Sequence, residues 1–223
     1  MCGRFALNEN PTKLAQHFRL SGDSDVSPSW NITPTTRIIA ITEDEEGRSH
    51  LHKMRWGLIP SWAKDAAIGN KLTNARGETV AEKPSFRSAF KSRRCIIPAS
   101  GYFEWKAEND IKQPWYISLK SGDPMAFAGL WETWHPNEGE TIVTCCIITT
   151  AANSLMEAIH DRMPVILDPE QWGVWLSLQE RQADKLLPMI QPHKSESMQA
   201  WPVTRELNKV GMRNDAGLIE PIN

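Results

Sequence analysis

Residues 94–150 read RCIIPASGYFEWKAENDIKQPWYISLKSGDPMAFAGLWETWHPNEGETIVTCCIITT, and this stretch decides the fold. It holds five runs rich in β-branched and aromatic residues: RCIIPA (94–99), GYFEWK (101–106), PWYISLK (114–120), MAFAGLWET (125–133) and TIVTCCIITT (141–150). Gly, Asn, Asp and Pro fill the gaps, so turn chemistry bounds each run. Five strands so closely spaced predict an antiparallel meander or a barrel-like sheet. Upstream, RIIAIT (37–42) and residues 50–58 flank the acidic turn EDEEG and predict a hairpin. PTKLAQHFRL (11–20) predicts a short helix with Pro11 in its first turn, followed by a loop (SGDSDVSPS) and the turn-like WNITPTT. Residues 60–77 show no sustained period, and 78–90 carry short helical pieces. Downstream, helices are expected near 153–159, 169–178 and 180–190, with a late strand in MQAWPVT. The sum is one α+β domain over residues 1–223, an antiparallel β-rich barrel-like core with short peripheral helices.

Composition sets the bounds. A chain of 223 residues that is 40% hydrophobic and 23% charged can bury a sizeable core. No run of 18 apolar residues suggests a membrane span, and Asn8 to Thr12 interrupt any signal-peptide core, so a cytoplasmic location is expected. Net charge is −2, so any polyanion site must be a local patch. Cys95, Cys145 and Cys146 show no Cys-x-x-Cys spacing and read as reduced core thiols. The ten tryptophans follow no single period; most belong to a core, with two or three left as stacking platforms.

The opening MCGRF poses the chemical question. Removal of Met1 would give Cys2 a free α-amine and a thiol, with reference pKa values of about 7.7–8.0 and 8.5. Such a pair can attack an acyl carbon, or condense with an aldehyde to an imine that the thiol closes as a thiazolidine. A chance cysteine at a loose terminus is the plain alternative. Alternation in GYFEW places Tyr102 and Glu104 on one face and Phe103 and Trp105 on the other, a setting in which a desolvated carboxyl serves proton transfer. An edge-strand Glu paired with Lys would look the same. In HDRMP, His160 offers acid–base chemistry and Arg162 a phosphate fork, though a cation-rich helix end also fits. Asn74, Arg76 and Glu78 alternate in TNARGET. Residues 83–94 (KPSFRSAFKSRR) hold five Lys/Arg and no acid; Arg87 sits between Phe86 and Phe90, as in channels where bases stack and phosphates meet cations. RWGLIPSW adds Arg55, Trp56 and Trp62. There is no GxSxG, HExxH, P-loop or dinucleotide fingerprint, and no spacing that suggests a metal or cofactor.

Taken in order, MCGRF, NITP, RWGLIPSW, NARGET, GYFEW and HDRMPVIL resemble the SRAP family, the SOS-response-associated peptidase-like proteins that process abasic sites in DNA. The likeness implies that Cys2 captures the ring-opened abasic aldehyde in single-stranded DNA as a thiazolidine crosslink, shielding the site from strand cleavage. It further implies Glu104 and His160 as acid–base partners, and Arg4, Asn74, Arg76 and Arg162 near the sugar and its phosphates, with Trp62 as a base-stacking wedge. Where the family often carries two aromatics, this chain has Ser61-Trp62-Ala63. A monomer acting on single-stranded DNA, away from membranes and nucleoid-associated when bound, follows as the expectation. Two other classes remain open: an N-terminal-cysteine amidohydrolase or peptidase, which as an amidohydrolase would adopt a four-layer sandwich, and a non-catalytic single-strand binder.

Overall fold

A computed structural model describes residues 2–21, 26–108, 111–136, 139–209 and 213–222. Met1 and residues 22–25 of the expected loop lie outside the described residues. In chain order the strands begin with β1 (Phe5–Leu7), β2 (Ser29–Ile32), β3 (Arg37–Glu43), β4 (Ser49–Trp56) and β5 (Asn74–Arg76). They continue as β6 (Arg94–Ala99), β7 (Gly101–Glu108), β8 (Ile111–Leu119), β9 (Met125–Trp134), β10 (Ile142–Ala151), β11 (Arg162–Pro164) and β12 (Met198–Pro202). Four short α-helices lie between them: α1 (Pro11–His17), α2 (Arg87–Ser92), α3 (Pro169–Leu176) and α4 (Ala183–Leu186).

Five strands close on themselves. The β3–β4 hairpin runs in register from Arg37↔Arg55 to Glu43↔Ser49. Strand β4 then pairs in parallel with β10, β10 pairs with β9, β9 with β6, and β6 returns to β3 through Ile41↔Ile96. Closure removes the free edges that an open sheet would expose. The second half of β10 leaves this ring and carries β5 in parallel on one side and β11 antiparallel on the other. A second sheet runs β12-β8-β7-β1-β2.

One large core fills the space inside the ring and against the second sheet; Phe5, Trp56, Tyr102 and Phe127 are among its wholly buried aromatics. Phe5 meets Trp56 and Phe127 edge-on at centroid separations of 5.3 and 6.0 Å. Each such ring contributes on the order of 1.5–3 kcal/mol through burial. The opposite face of the second sheet covers a smaller cluster of Ala6, Phe103, Tyr116, Val203, Leu207 and Leu218. Alternation along β7 therefore divides as expected, with Tyr102 in the large core and Phe103 in the small one.

The α+β, barrel-like single domain holds, and the four-layer sandwich of the amidohydrolase alternative does not appear among the described residues. Several details differ from expectation. The five central runs do not form a meander, because β7 and β8 leave the ring for the second sheet. Residues 154–159 form turns instead of a helix, and WNI belongs to β2. The two late helices shrink to α3 and α4, the latter followed by a 3-10 turn at Leu187–Met189. Pro188 removes an amide donor there, which favours the tighter turn.

Candidate active site

Strand β1 determines where the terminus goes. Phe5 pairs with Tyr102 and Ala6 with Gly101, while the Phe103 amide donates to the Arg4 carbonyl at 2.9 Å. Continuing antiparallel past Arg4 brings Gly3 and Cys2 alongside Glu104 and beyond. Cys2 is wholly buried in the large core. Its carbonyl accepts from Asn74 Nδ2 at 2.9 Å. Burial first, and the charge of Glu104 second, push the Cys2 thiol well above the ordinary thiol range, against a small opposing pull from the Arg4 amide.

Asn74 reaches Cys2 because the loop before it is anchored on β4. Gly57, at φ +134°, and Gly69 pack backbone to backbone; a Cβ on Gly57 would lie 2.5 Å from the Gly69 carbonyl oxygen. That close approach requires glycine. It sets the Leu58 amide on the Leu72 carbonyl at 3.0 Å and the Trp56 indole N–H on the Thr73 carbonyl at 2.9 Å. The irregular segment is thus tied at its end, and β5 presents Asn74 toward the terminus.

Glu104 is 3% exposed on an interior strand, so it is no edge-strand surface residue. Burial holds its carboxyl above the ordinary carboxylate range, with the nearby His160 among the influences working the other way. His160 Nε2 lies 3.9 Å from Glu104 Oε2. The other ring nitrogen, Nδ1, is 3.0 Å from the Arg162 amide and 2.9 Å from Asp161 Oδ1. A neutral ring accepts from the Arg162 amide and leaves its Nε2–H toward Glu104; a protonated ring donates to Asp161 instead. In the protonated ring both nitrogens carry hydrogen, so the Nε2 proton can pass to the Glu104 side and return while Nδ1–H stays on Asp161.

The arginines differ in what they already hold. Arg162 forks onto Glu78, with Nη2–Oε2 at 2.9 Å, and also donates to the Thr149 carbonyl at 2.8 Å. A phosphate at this point would exchange with Glu78. Arg4 donates to the Leu207 carbonyl at 2.7 Å and lies 5.2 Å over the Trp105 ring. Arg76 is exposed, close enough for its charge to help lower the Glu78 carboxyl, after the Arg162 hydrogen bond that dominates. Arg4, Glu104 and His160 share a cleft of about 510 Å³ with Trp105, Lys112 and Asn208. Trp105, fixed by its indole N–H on Asn208 Oδ1 at 2.6 Å, was assigned no role from sequence. Its alternation with Glu104 was visible; the late turn that supplies Asn208 was not.

The basic run behaves otherwise. Phe86 and Phe90 are buried at 4% and 2% exposure, so they form the inner face of α2 and cannot stack bases. Arg94 is buried and donates to five backbone carbonyls, including Trp175 at 2.6 Å and Ser177 at 2.6 Å. Arg93 pairs with Glu132 at 2.7 Å. Lys83, Arg87 and Lys91 remain exposed. Trp62, at 58% exposure, is the most open tryptophan, its indole N–H 3.5 Å from the Pro84 carbonyl. Cys95, Cys145 and Cys146 are buried free thiols, and no cluster of metal-ligating side chains occurs among the described residues. No helix among them is long and apolar enough to cross a membrane.

Comparison with known proteins agrees in kind. The model of the family described as SOS response associated peptidase (SRAP) matches residues 1–210. The chain is 44% identical to the abasic site processing protein YoqW of Bacillus subtilis (strain 168), over 99% of both chains. It is 34% identical to the abasic site processing protein YedK of Escherichia coli (strain K12), over 79% of each. A crystal structure of a protein from Bacteroides thetaiotaomicron superposes with TM-score 0.89 at 29% identity, covering all of both chains.

Proposed function

The chain belongs to the SOS response associated peptidase (SRAP) family, and from that premise we propose that it recognises abasic sites in single-stranded DNA and captures them covalently through Cys2. The observation that carries the reading is that β1 brings buried Cys2 beside buried Glu104, which with His160 lines one cleft. Once Met1 is gone, the Cys2 amine attacks C1′ of the ring-opened aldehyde. Glu104, whose carboxyl burial raises above the ordinary carboxylate range, donates a proton to the departing hydroxyl, and water leaves as the imine forms. The thiol then adds across the imine: sulfur bonds to C1′, its proton passes to nitrogen, and a thiazolidine results. A thiol kept protonated by burial suits this order, amine first and sulfur second. Closure removes the imine that would otherwise acidify C2′ and invite strand cleavage. His160 accepts and returns the proton at Glu104, while Asn74 holds the Cys2 carbonyl so that the amine and thiol swing together. Arg4, Arg76 and Arg162 hold the flanking phosphates, with Arg87 and Trp62 farther along the strand.

The test is a denaturing gel of the protein incubated with single-stranded oligonucleotide bearing one abasic site. A shifted band dependent on Cys2 is expected; an equal band from Cys2→Ala overturns the mechanism. Intact mass of the active protein must show Met1 absent. Full affinity without any covalent band would favour a plain single-strand binder.

A further inference from the structure

The cross-strand register of β3 and β4 sets Arg37 directly opposite Arg55, and Lys53 two pairs further along on the same face. Like charges facing each other on adjacent strands are destabilising. Here they line one cleft of about 290 Å³ together with Thr35, Thr141 and Val143, and among the described residues none that line it is acidic. Neither Arg37 nor Arg55 has a carboxylate within ion-pair distance among the described residues. Arg55 is instead oriented by neutral acceptors, the Gly57 carbonyl at 3.2 Å and Asn70 Oδ1 at 2.6 Å, which leave its charge intact. The rim is also strained: Thr35 adopts φ +71°, in the left-handed region that β-branched residues avoid. Strain of this kind is retained where a site needs it.

The cleft is joined to the reacting corner through backbone. Arg55 precedes Trp56, whose indole holds the Thr73 carbonyl, and the next residue, Asn74, holds Cys2. We propose that Arg37, Lys53 and Arg55 form a second phosphate-binding site, which grips the sugar–phosphate backbone of the nucleic acid beyond the nucleotide that reacts. The identity of the polymer rests on the functional reading above; the cationic cleft itself does not. Phosphodiester groups fit because three cations on one face match successive phosphates, whereas a protein carboxylate cluster would need hydrogen-bond donors spaced to one side chain.

The test measures equilibrium binding of an oligonucleotide without an abasic site, from about 50 to about 200 mM salt. Replacing Arg37 and Lys53 by Gln should weaken binding roughly tenfold per lost contact at the low end, and reduce the log–log salt slope by about 0.7 per contact. Arg37→Lys should keep the wild-type slope, because it keeps the charge. Arg37→Gln alone should melt unchanged or higher, since its like-charge contact with Arg55 is relieved. A wild-type slope in the folded Gln variant overturns the proposal. So does competition by inorganic phosphate as effective as by oligonucleotide, which would make this a small-anion site. Binding is read without crosslinking, so failure of Cys2 to react would sink the mechanism and leave this measurement standing.

Discussion

Two regions of this molecule concentrate charge and aromatic rings, residues 83–94 and the corner where Cys2 meets Glu104, and they use them in opposite ways. In the first, Arg93 and Arg94 are spent on the protein itself, while Lys83, Arg87 and Lys91 stay exposed. Arg94 gives its donors to five carbonyls, two in α2 and three at and beyond the end of α3, and Phe86 and Phe90 pack inward. In the second, a thiol and a carboxyl are buried and held away from their ordinary ionisation, beside a cleft. A buried charge with complete hydrogen bonding stabilises a fold, whereas a buried acid kept protonated stores a proton for chemistry. What separates the regions is therefore the fate of each polar atom and not the composition.

The comparison can be broken at its strongest point first. Phe90→Ala should cost about 3–5 kcal/mol of stability by calorimetry or denaturant melting. Under native conditions the folded variant should bind oligonucleotide as wild type does; lost binding without lost stability would return Phe90 to a stacking role. Next, Glu104→Gln should slow crosslinking by about a hundredfold or more, measured as single-turnover band formation. The same variant carries a stability signature. Folded Glu104 holds its proton more tightly than in the unfolded chain, so the contribution of this group is greatest below the ordinary carboxylate value. It is lost as pH rises from there through the raised folded value. Melting curves of wild type minus Glu104→Gln should fall across that window; a rise would reverse the assignment. Trp62→Ala should weaken oligonucleotide binding by about 1–3 kcal/mol, as expected for one stacked base, with melting unchanged. Smallest of all, Arg87→Ala should weaken binding roughly tenfold at low salt and hardly at all at high salt.

The hairpin β3–β4 and all five central strands were legible because their apolar and β-branched residues run long enough to show a period. Strand β1 was not, since Phe5, Ala6 and Leu7 are all buried and three residues have no alternation to reveal. Strand β5 hides in an aperiodic loop and exists only through its pairing with β10, a contact between distant parts of the chain. Glu104 was placed correctly by alternation alone. Phe86 and Phe90 were misread, although with Ala89 they lie at the i, i+3, i+4 spacing of a helix face, which already favoured burial. The juxtaposition of Cys2 with Glu104 came only through the family resemblance, because local spacing carries nothing about a terminus pairing with a strand far along the chain.

The second half of β10 serves as a template on both sides. Asn74 is registered against Ile147 on one flank and Arg162 against Ala151 on the other. The pairing with β5 joins segments far apart in sequence, the kind of contact that forms slowly and late during folding, whereas β11 follows β10 closely. A slip of one residue on either flank would turn the functional side chain to the wrong face. Under the proposed mechanism, covalent capture becomes a readout of completed folding: a chain with β10 unzipped keeps its cysteine and its acid but lacks the placement of Asn74 and Arg162 that the mechanism uses.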